Sequence, residues 1–138
     1  MPAGIDNPAV GYLTFCAVKF AGYSLAARFL SHSYKRTDRN ASVVGGARTL
    51  IGMAAGFAYY KAMDLIPAVI GNSYTAYLAG LIPVRLAEWW LLLWLFYDRQ
   101  FQQKPKDWKM VILGTFWSFL LDVPAVIGLI ATGGLWVC

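Results

Sequence analysis

The segment "SYTAYLAGLIPVRLAEWWLLLWLFY", residues 73–97, decides the fold of this chain. Its only charged residues are Arg85 and Glu88. A helix needs about 20 mostly apolar residues to cross a bilayer, and irregular backbone is not tolerated in contact with lipid. The segment therefore predicts a transmembrane α-helix.

Three further segments have the same character. They lie at about 8–31, 42–66 and 109–136. The chain as a whole is 59% apolar and 14% charged, whereas soluble domains are about 25% charged. We therefore predict one all-α domain over residues 1–138, a polytopic membrane protein with four transmembrane helices (8–31, 42–66, 73–97 and 109–136) in an up-down bundle.

The positive charges predict the topology of this bundle. Most of the net charge of +5 lies in two linkers, 32–41 and 98–108, and the linker between them has no basic residue. By the positive-inside rule the two basic loops are cytoplasmic and both termini lie on the non-cytoplasmic side. The N-terminus lacks the basic region of a signal peptide, so we expect the first span to remain in the protein. We expect a bacterial inner membrane or a eukaryotic endomembrane as its location, and no nucleic-acid partner.

Several charged residues lie inside the predicted spans. A charge at the centre of a bilayer costs about 3 kcal/mol, and such residues face the interior of a bundle or a functional site. With a rise of about 1.5 Å per residue, three of them fall near mid-depth, one from each of spans one, three and four. The predicted binding-site residues for a substrate or ion are Lys19, Arg48, Arg85, Glu88 and Asp122.

The spacing of polar residues indicates that these charges share a common interior. In the first span Cys16, Lys19 and Tyr23 recur at intervals of three and four, and in the fourth span Thr115, Ser118 and Asp122 do the same. Arg85 and Glu88 are three residues apart and can pair directly. Tyr12 extends the stripe of the first span. In the second span, one side carries Arg48, Gly52, Ala55 and Tyr59. In the third span, one side carries Tyr74, Tyr77, Leu81, Arg85 and Glu88.

A repeated pentapeptide gives the chain a second unusual feature. "PAVIG" occurs at 67–71 and 124–128, preceded by Asp64 and Asp122 respectively. Pro124 has no N–H, so we expect the helix to bend there and to free a carbonyl beside Asp122. Pro67 is expected to end the second span instead. Both an internal duplication and coincidence explain the repeat.

Other conspicuous residues have structural explanations. Gly52 and Gly56 are one helical turn apart and predict a close helix contact. Trp89, Trp90 and Trp94 point to more than one face, and we interpret them as lipid contacts. Arg28 and Lys61 are expected to extend to an interface.

Several classes of site are disfavoured. The single histidine, His32, cannot supply the ligand sets of haem or di-iron bundles, and Cys16 and Cys138 lack metal-ligand spacing. No Ser-His-Asp set or Gly-rich phosphate loop is present. We expect no cofactor and no metal site.

Three functions stay open at this point. The leading hypothesis is a small transporter or channel-like protein, a homo-oligomer among membrane lipids, with a charged mid-membrane site for an anionic or proton-coupled solute. The second is a lipid-phase enzyme that binds an anionic head group, with Glu88 or Asp122 as general acid or base. The third is an accessory subunit of a larger membrane complex, in which the charges fix the assembly.

Overall fold

The protein is all-helical over the residues that its computed structural model describes, which are 8–65 and 74–132, with side chains placed over 13–62, 79–124 and at 127. The four helices are α1 (Pro8–Ser33), α2 (Ala41–Leu65), α3 (Tyr74–Phe96) and α4 (Lys104–Thr132). Each overlaps one predicted span. The first copy of the pentapeptide (67–71), Cys138 and residues 133–136 of the fourth predicted span lie outside the described residues, as do the side chains of Tyr12, Asp64, Tyr74 and Tyr77.

Among the residues that the structure describes, three helices are long and apolar enough to cross a membrane. The segments are Leu13–Ser33, Ala41–Ala62 and Ala79–Phe96. The fourth helix differs because it begins five residues before the predicted span, at Lys104, and its first turns carry Lys106, Asp107 and Lys109. Pro105 fits the first turn of a helix, where no N–H is needed, and Asp107 is favourable near the positive end of the helix dipole. These residues extend the helix into the segment predicted as a loop.

The outer surface of the bundle is strongly apolar. Leu13, Phe57 and Phe116 are each about two-thirds exposed, at 67%, 65% and 67%. Five charged residues, by contrast, are buried inside: Lys19, Arg48, Arg85, Glu88 and Asp107. This distribution is the reverse of that in soluble proteins, in which charged side chains are almost never fully buried and large exposed apolar patches mark interaction surfaces.

The helices form a ring in chain order. Each packs against its neighbours in sequence, and α4 returns to pack against α1. The apolar core includes Leu30, Val44, Leu92, Leu93 and Val111. The helices α1 and α2 pack closely at Gly45, where an added Cβ would lie 2.7 Å from the backbone nitrogen of Ser24. The predicted contact glycine Gly52 instead faces the guanidinium groups of Arg48 and Arg85.

Local signals fix the helix ends at the two basic loops. Lys35, with φ of 53°, adopts the left-handed conformation that commonly follows a helix, and the N–H of Arg36 donates to the Ser31 carbonyl. Asn40 caps α2, because its Oδ1 accepts from the N–H of Ser42 at 2.9 Å. The helix α4 continues through Pro124 and ends at Thr132.

Candidate functional site

The five predicted charges form one continuous chain of ion pairs. Lys19 donates to Asp122 Oδ1. Arg85 bridges the two carboxylates, with Nη2 3.3 Å from Asp122 Oδ2 and Nη1 3.5 Å from Glu88 Oε2. Arg48 donates to the same Glu88 oxygen. We call these five residues the charged layer.

Every helix contributes to the charged layer. Lys19 comes from α1, Arg48 from α2, and Asp122 from α4, while Arg85 and Glu88 lie one turn apart on α3. All but Asp122 are at most 4% exposed, and the Asp122 side chain is 16% exposed. Three cations and two carboxylates give the layer a charge of +1 when all are ionised. The polar stripes read from the sequence therefore do converge, and Asp122 is the member nearest the surface.

Ser118 and three aromatic rings surround the layer. Ser118 Oγ accepts from Trp89 Nε1 at 2.9 Å, from Arg48 Nη2 at 3.3 Å and from the Tyr23 hydroxyl at 3.4 Å. The Arg48 guanidinium also lies 4.7 Å from the centre of the Tyr23 ring and 5.1 Å from that of Trp89. Lys19 lies 5.3 Å from the centre of the Phe15 ring. Desolvated cation–π contacts of this kind are worth about 2 kcal/mol.

The interpretation of Trp89 as a lipid contact is wrong. It is only 1% exposed and its indole N–H bonds to Ser118, whereas Trp94 is 44% exposed. The signal in the sequence was the position of Trp89, four residues after Arg85 and on the same helical face. Trp90 is partly buried and stacks on Phe101 with ring centres 4.3 Å apart.

A small cavity lies beside the layer. Its volume is about 10 Å³, and it is lined by residues that include Lys19, Arg85, Cys16, Thr49 and Gly52. A Cβ on Gly52 would lie 3.1 Å from Arg48 Nη1, so an alanine at this position would require the guanidinium to shift by a few tenths of an ångström. Arg48 Nε and Nη1 are buried and find no hydrogen-bond acceptor among the residues that the structure describes. The cavity is about the size of one water molecule and has cations on its walls.

A second polar cluster lies at the end of the bundle that carries the basic loops. The Tyr34 hydroxyl donates to Asp107 Oδ1 at 2.5 Å, and Lys106 Nζ donates to the Ser33 carbonyl at 2.5 Å. The Lys106 ammonium lies 4.3 Å from the centre of the Tyr34 ring. Burial raises the pKa of the Asp107 carboxyl, and burial together with this carboxyl raises the pKa of Tyr34.

This second cluster is not predicted, because the sequence predicts a loop over residues 98–108. Asp107 is fully buried, which requires the early start of α4. Leu30, Leu93 and Val111 separate the cluster from the charged layer. Within the described part of the chain, no group of three His, Cys, Asp or Glu side chains is placed to hold a metal ion.

No family model, curated protein or solved structure matches this chain.

Proposed function

We propose that the chain is a small integral membrane protein that carries a small anion across the bilayer through the charged layer. The observation that supports this proposal is the layer itself: five paired charges, four of them buried, drawn from all four helices, with a surplus of one positive charge. Ionisable residues inside membrane proteins are rare and mark substrate pathways or proton relays. A surplus of cations favours an anionic solute.

The membrane placement includes α4 as the fourth span. From Met110 to Thr132 its only charged residue is Asp122, which is paired inside the bundle. The opposite side of the helix presents Ile112, Phe116, Leu120 and Val123, all about half exposed or more. With four spans, the loops at 34–40 and 97–103 are cytoplasmic and both termini lie on the opposite side.

The geometry suggests where an anion binds and how a proton takes part. Asp122 pairs with both Lys19 and Arg85, and it is the most exposed member of the layer. Protonation of this carboxyl would release the Lys19 ammonium and leave Arg85 paired with Glu88, beside the cavity that Lys19 and Arg85 line. Anion binding and proton binding at Asp122 are then favourable together, which is the coupling that a proton–anion symporter requires.

Flux measurements test the proposal. The purified protein is reconstituted in liposomes, and uptake of chloride, nitrate or phosphate is followed with and without a pH gradient. Asp122→Asn and Arg85→Gln should each reduce flux of the transported anion at least tenfold, while Asp38→Asn and Arg39→Gln, which alter an exposed pair 3.6 Å apart in the first loop, should leave it unchanged. Undiminished flux in both layer variants would refute the role of the charged layer, and no flux of any of these anions in the unmodified protein would refute transport of a small anion.

A second candidate function is an accessory subunit of a membrane complex. It is favoured because pairs of the layer join different helices: Lys19 in α1 with Asp122 in α4, and Arg48 in α2 with Glu88 in α3. Pairs of this kind fix helix register without any chemistry. This candidate predicts that the chain copurifies with larger subunits and is unstable alone, whereas a stable homo-oligomer in detergent supports the transporter.

A further inference from the structure

An apolar groove lies between α1 and α4, and none of the residues that line it belongs to the charged layer. Its volume is about 390 Å³, within the range of small-molecule sites. The side chains that define it include Leu25, Phe29, Leu30, Leu113, Trp117 and the ring of Trp89. Leu25 and Phe29 are each 58% exposed and Leu113 is 46% exposed, so the groove opens on the outer surface of the bundle.

Three contacts fix the register of the two helices that form this groove. Lys106 Nζ donates to the Ser33 carbonyl at 2.5 Å and Trp117 Nε1 donates to the Gly22 carbonyl at 3.0 Å. Lys19 pairs with Asp122 farther along. The helices are therefore antiparallel, and the end of α1 is level with the start of α4. From Met110 to Trp117 the groove runs roughly 10 Å along α4, starting near the basic loops.

Basic side chains flank the end of the groove nearest these loops. Lys109 lies one turn before the groove residue Leu113, and Arg28 lies one turn after the groove residue Leu25, so each shares a helix face with a residue of the groove. Both basic side chains are exposed. Counted from the paired Ser33 and Lys106, their depths differ by only about 3 Å. His32, on the same face of α1 as Leu25, and the Lys106 ammonium add further donors at this level.

We propose that this groove binds an anionic phospholipid, with one acyl chain along the apolar wall and the phosphate between Lys109 and Arg28. Charge complementarity selects this occupant, because an apolar groove with cations at one end matches an acyl chain that is attached to a phosphate. Basic pockets between transmembrane helices on the cytoplasmic side bind anionic head groups for the same reason. This inference rests on the membrane placement within the proposed function, but not on transport.

Lipid titration of the purified full-length protein tests the site. Native mass spectrometry in detergent counts bound phosphatidylglycerol and phosphatidylcholine with identical acyl chains. We expect the first phosphatidylglycerol to bind at least tenfold more tightly than phosphatidylcholine. Lys109→Gln and Arg28→Gln should each weaken phosphatidylglycerol binding about fivefold, because one basic residue near a membrane surface contributes about that factor. Neither change should alter phosphatidylcholine binding.

Two further variants separate a built site from general attraction. Leu113→Trp fills the groove and should weaken binding of the first molecule of both lipids. The double variant Arg39→Gln/Arg99→Gln removes the same total charge as Lys109→Gln/Arg28→Gln, but from exposed loop positions, and should bind as the unmodified protein does. Equal affinity for both lipids, or an equal loss in the two double variants, would overturn the inference. Failure of transport is read separately, from anion flux in Asp122→Asn, whose substitution lies outside the groove.

Discussion

Replacing Glu88 by glutamine removes the negative charge that two buried guanidinium groups share. Glu88 Oε2 accepts from Arg48 and lies 3.5 Å from Arg85 Nη1, and all three side chains are at most 4% exposed. The charge of the layer rises from +1 to +2. Removing one partner of a buried ion pair costs about 3–5 kcal/mol, because the other charge stays buried without compensation. We expect Glu88→Gln to lower the free energy of unfolding by about this amount.

Arg48→Met should be much less harmful, although it removes the other half of the same pair. It lowers the charge of the layer from +1 to zero, and it eliminates the buried Nε and Nη1 donors that lack acceptors among the described residues. Each unsatisfied buried donor costs about 1–3 kcal/mol, so its removal offsets much of the lost pairing. We expect Arg48→Met to be at least about 2 kcal/mol more stable than Glu88→Gln.

Unfolding in mixed detergent micelles, followed by tryptophan fluorescence against the fraction of denaturing detergent, measures this difference. The matched control is the exposed pair in the first loop, where Asp38→Asn and Arg39→Met should each change the unfolding free energy by less than about 0.5 kcal/mol. The charge-balance reasoning is wrong if Arg48→Met destabilises the protein as much as Glu88→Gln does.

Three other substitutions test separate parts of the structure by the same unfolding assay. Gly45→Ala should lower the free energy of unfolding by about 1–3 kcal/mol through overpacking, because its Cβ would lie 2.7 Å from the Ser24 nitrogen. In the control Gly46→Ala, the nearest contact of the added Cβ is 3.6 Å, so this change should be neutral or stabilising. Equal losses in the two variants would contradict the close packing of α1 and α2 at Gly45. Ser118→Ala should cost about 1–3 kcal/mol, because it removes the acceptor of three buried donors; a neutral effect would exclude that role. Burial raises the pKa of Asp107 above its ordinary 3.8. Between this ordinary pKa and the folded-state pKa, the folded protein keeps a proton on Asp107 that the unfolded chain has lost. The stability of the unmodified protein relative to Asp107→Asn is therefore highest below this ordinary pKa and falls as the pH rises through the folded-state pKa, and a rising difference would contradict the assignment.

The helices and the members of the charged layer were predictable because both depend on simple periodicities. Long apolar runs give the helices, and intervals of three and four place Lys19, Arg85 and Asp122 on interior faces. The identity of each partner was less predictable. The pairing of Arg85 with Glu88 follows from their spacing within one helix. The Arg48–Glu88 contact, by contrast, depends on how α2 and α3 are rotated toward each other.

The features that the sequence reading missed depend on tertiary contacts. Trp89 has a ring that suits lipid as well as a core, and its assignment is decided by the Ser118 hydroxyl on another helix. Asp107 lies in a basic, polar segment that has the composition of a loop. Its burial involves a contact with Tyr34, which lies in the loop between α1 and α2, and no local sequence pattern specifies this contact.

The ring of helices is closed by a joint that has no loop. Chain connections link α1 to α2, α2 to α3 and α3 to α4, whereas α4 meets α1 through side chains such as Lys19, Trp117 and Asp122. Parting the bundle along this seam leaves all three connections intact. It also separates Lys19 from Asp122, whereas Asp122 stays paired with Arg85 on α3, so opening the seam exposes an ammonium whose charge this carboxylate no longer balances.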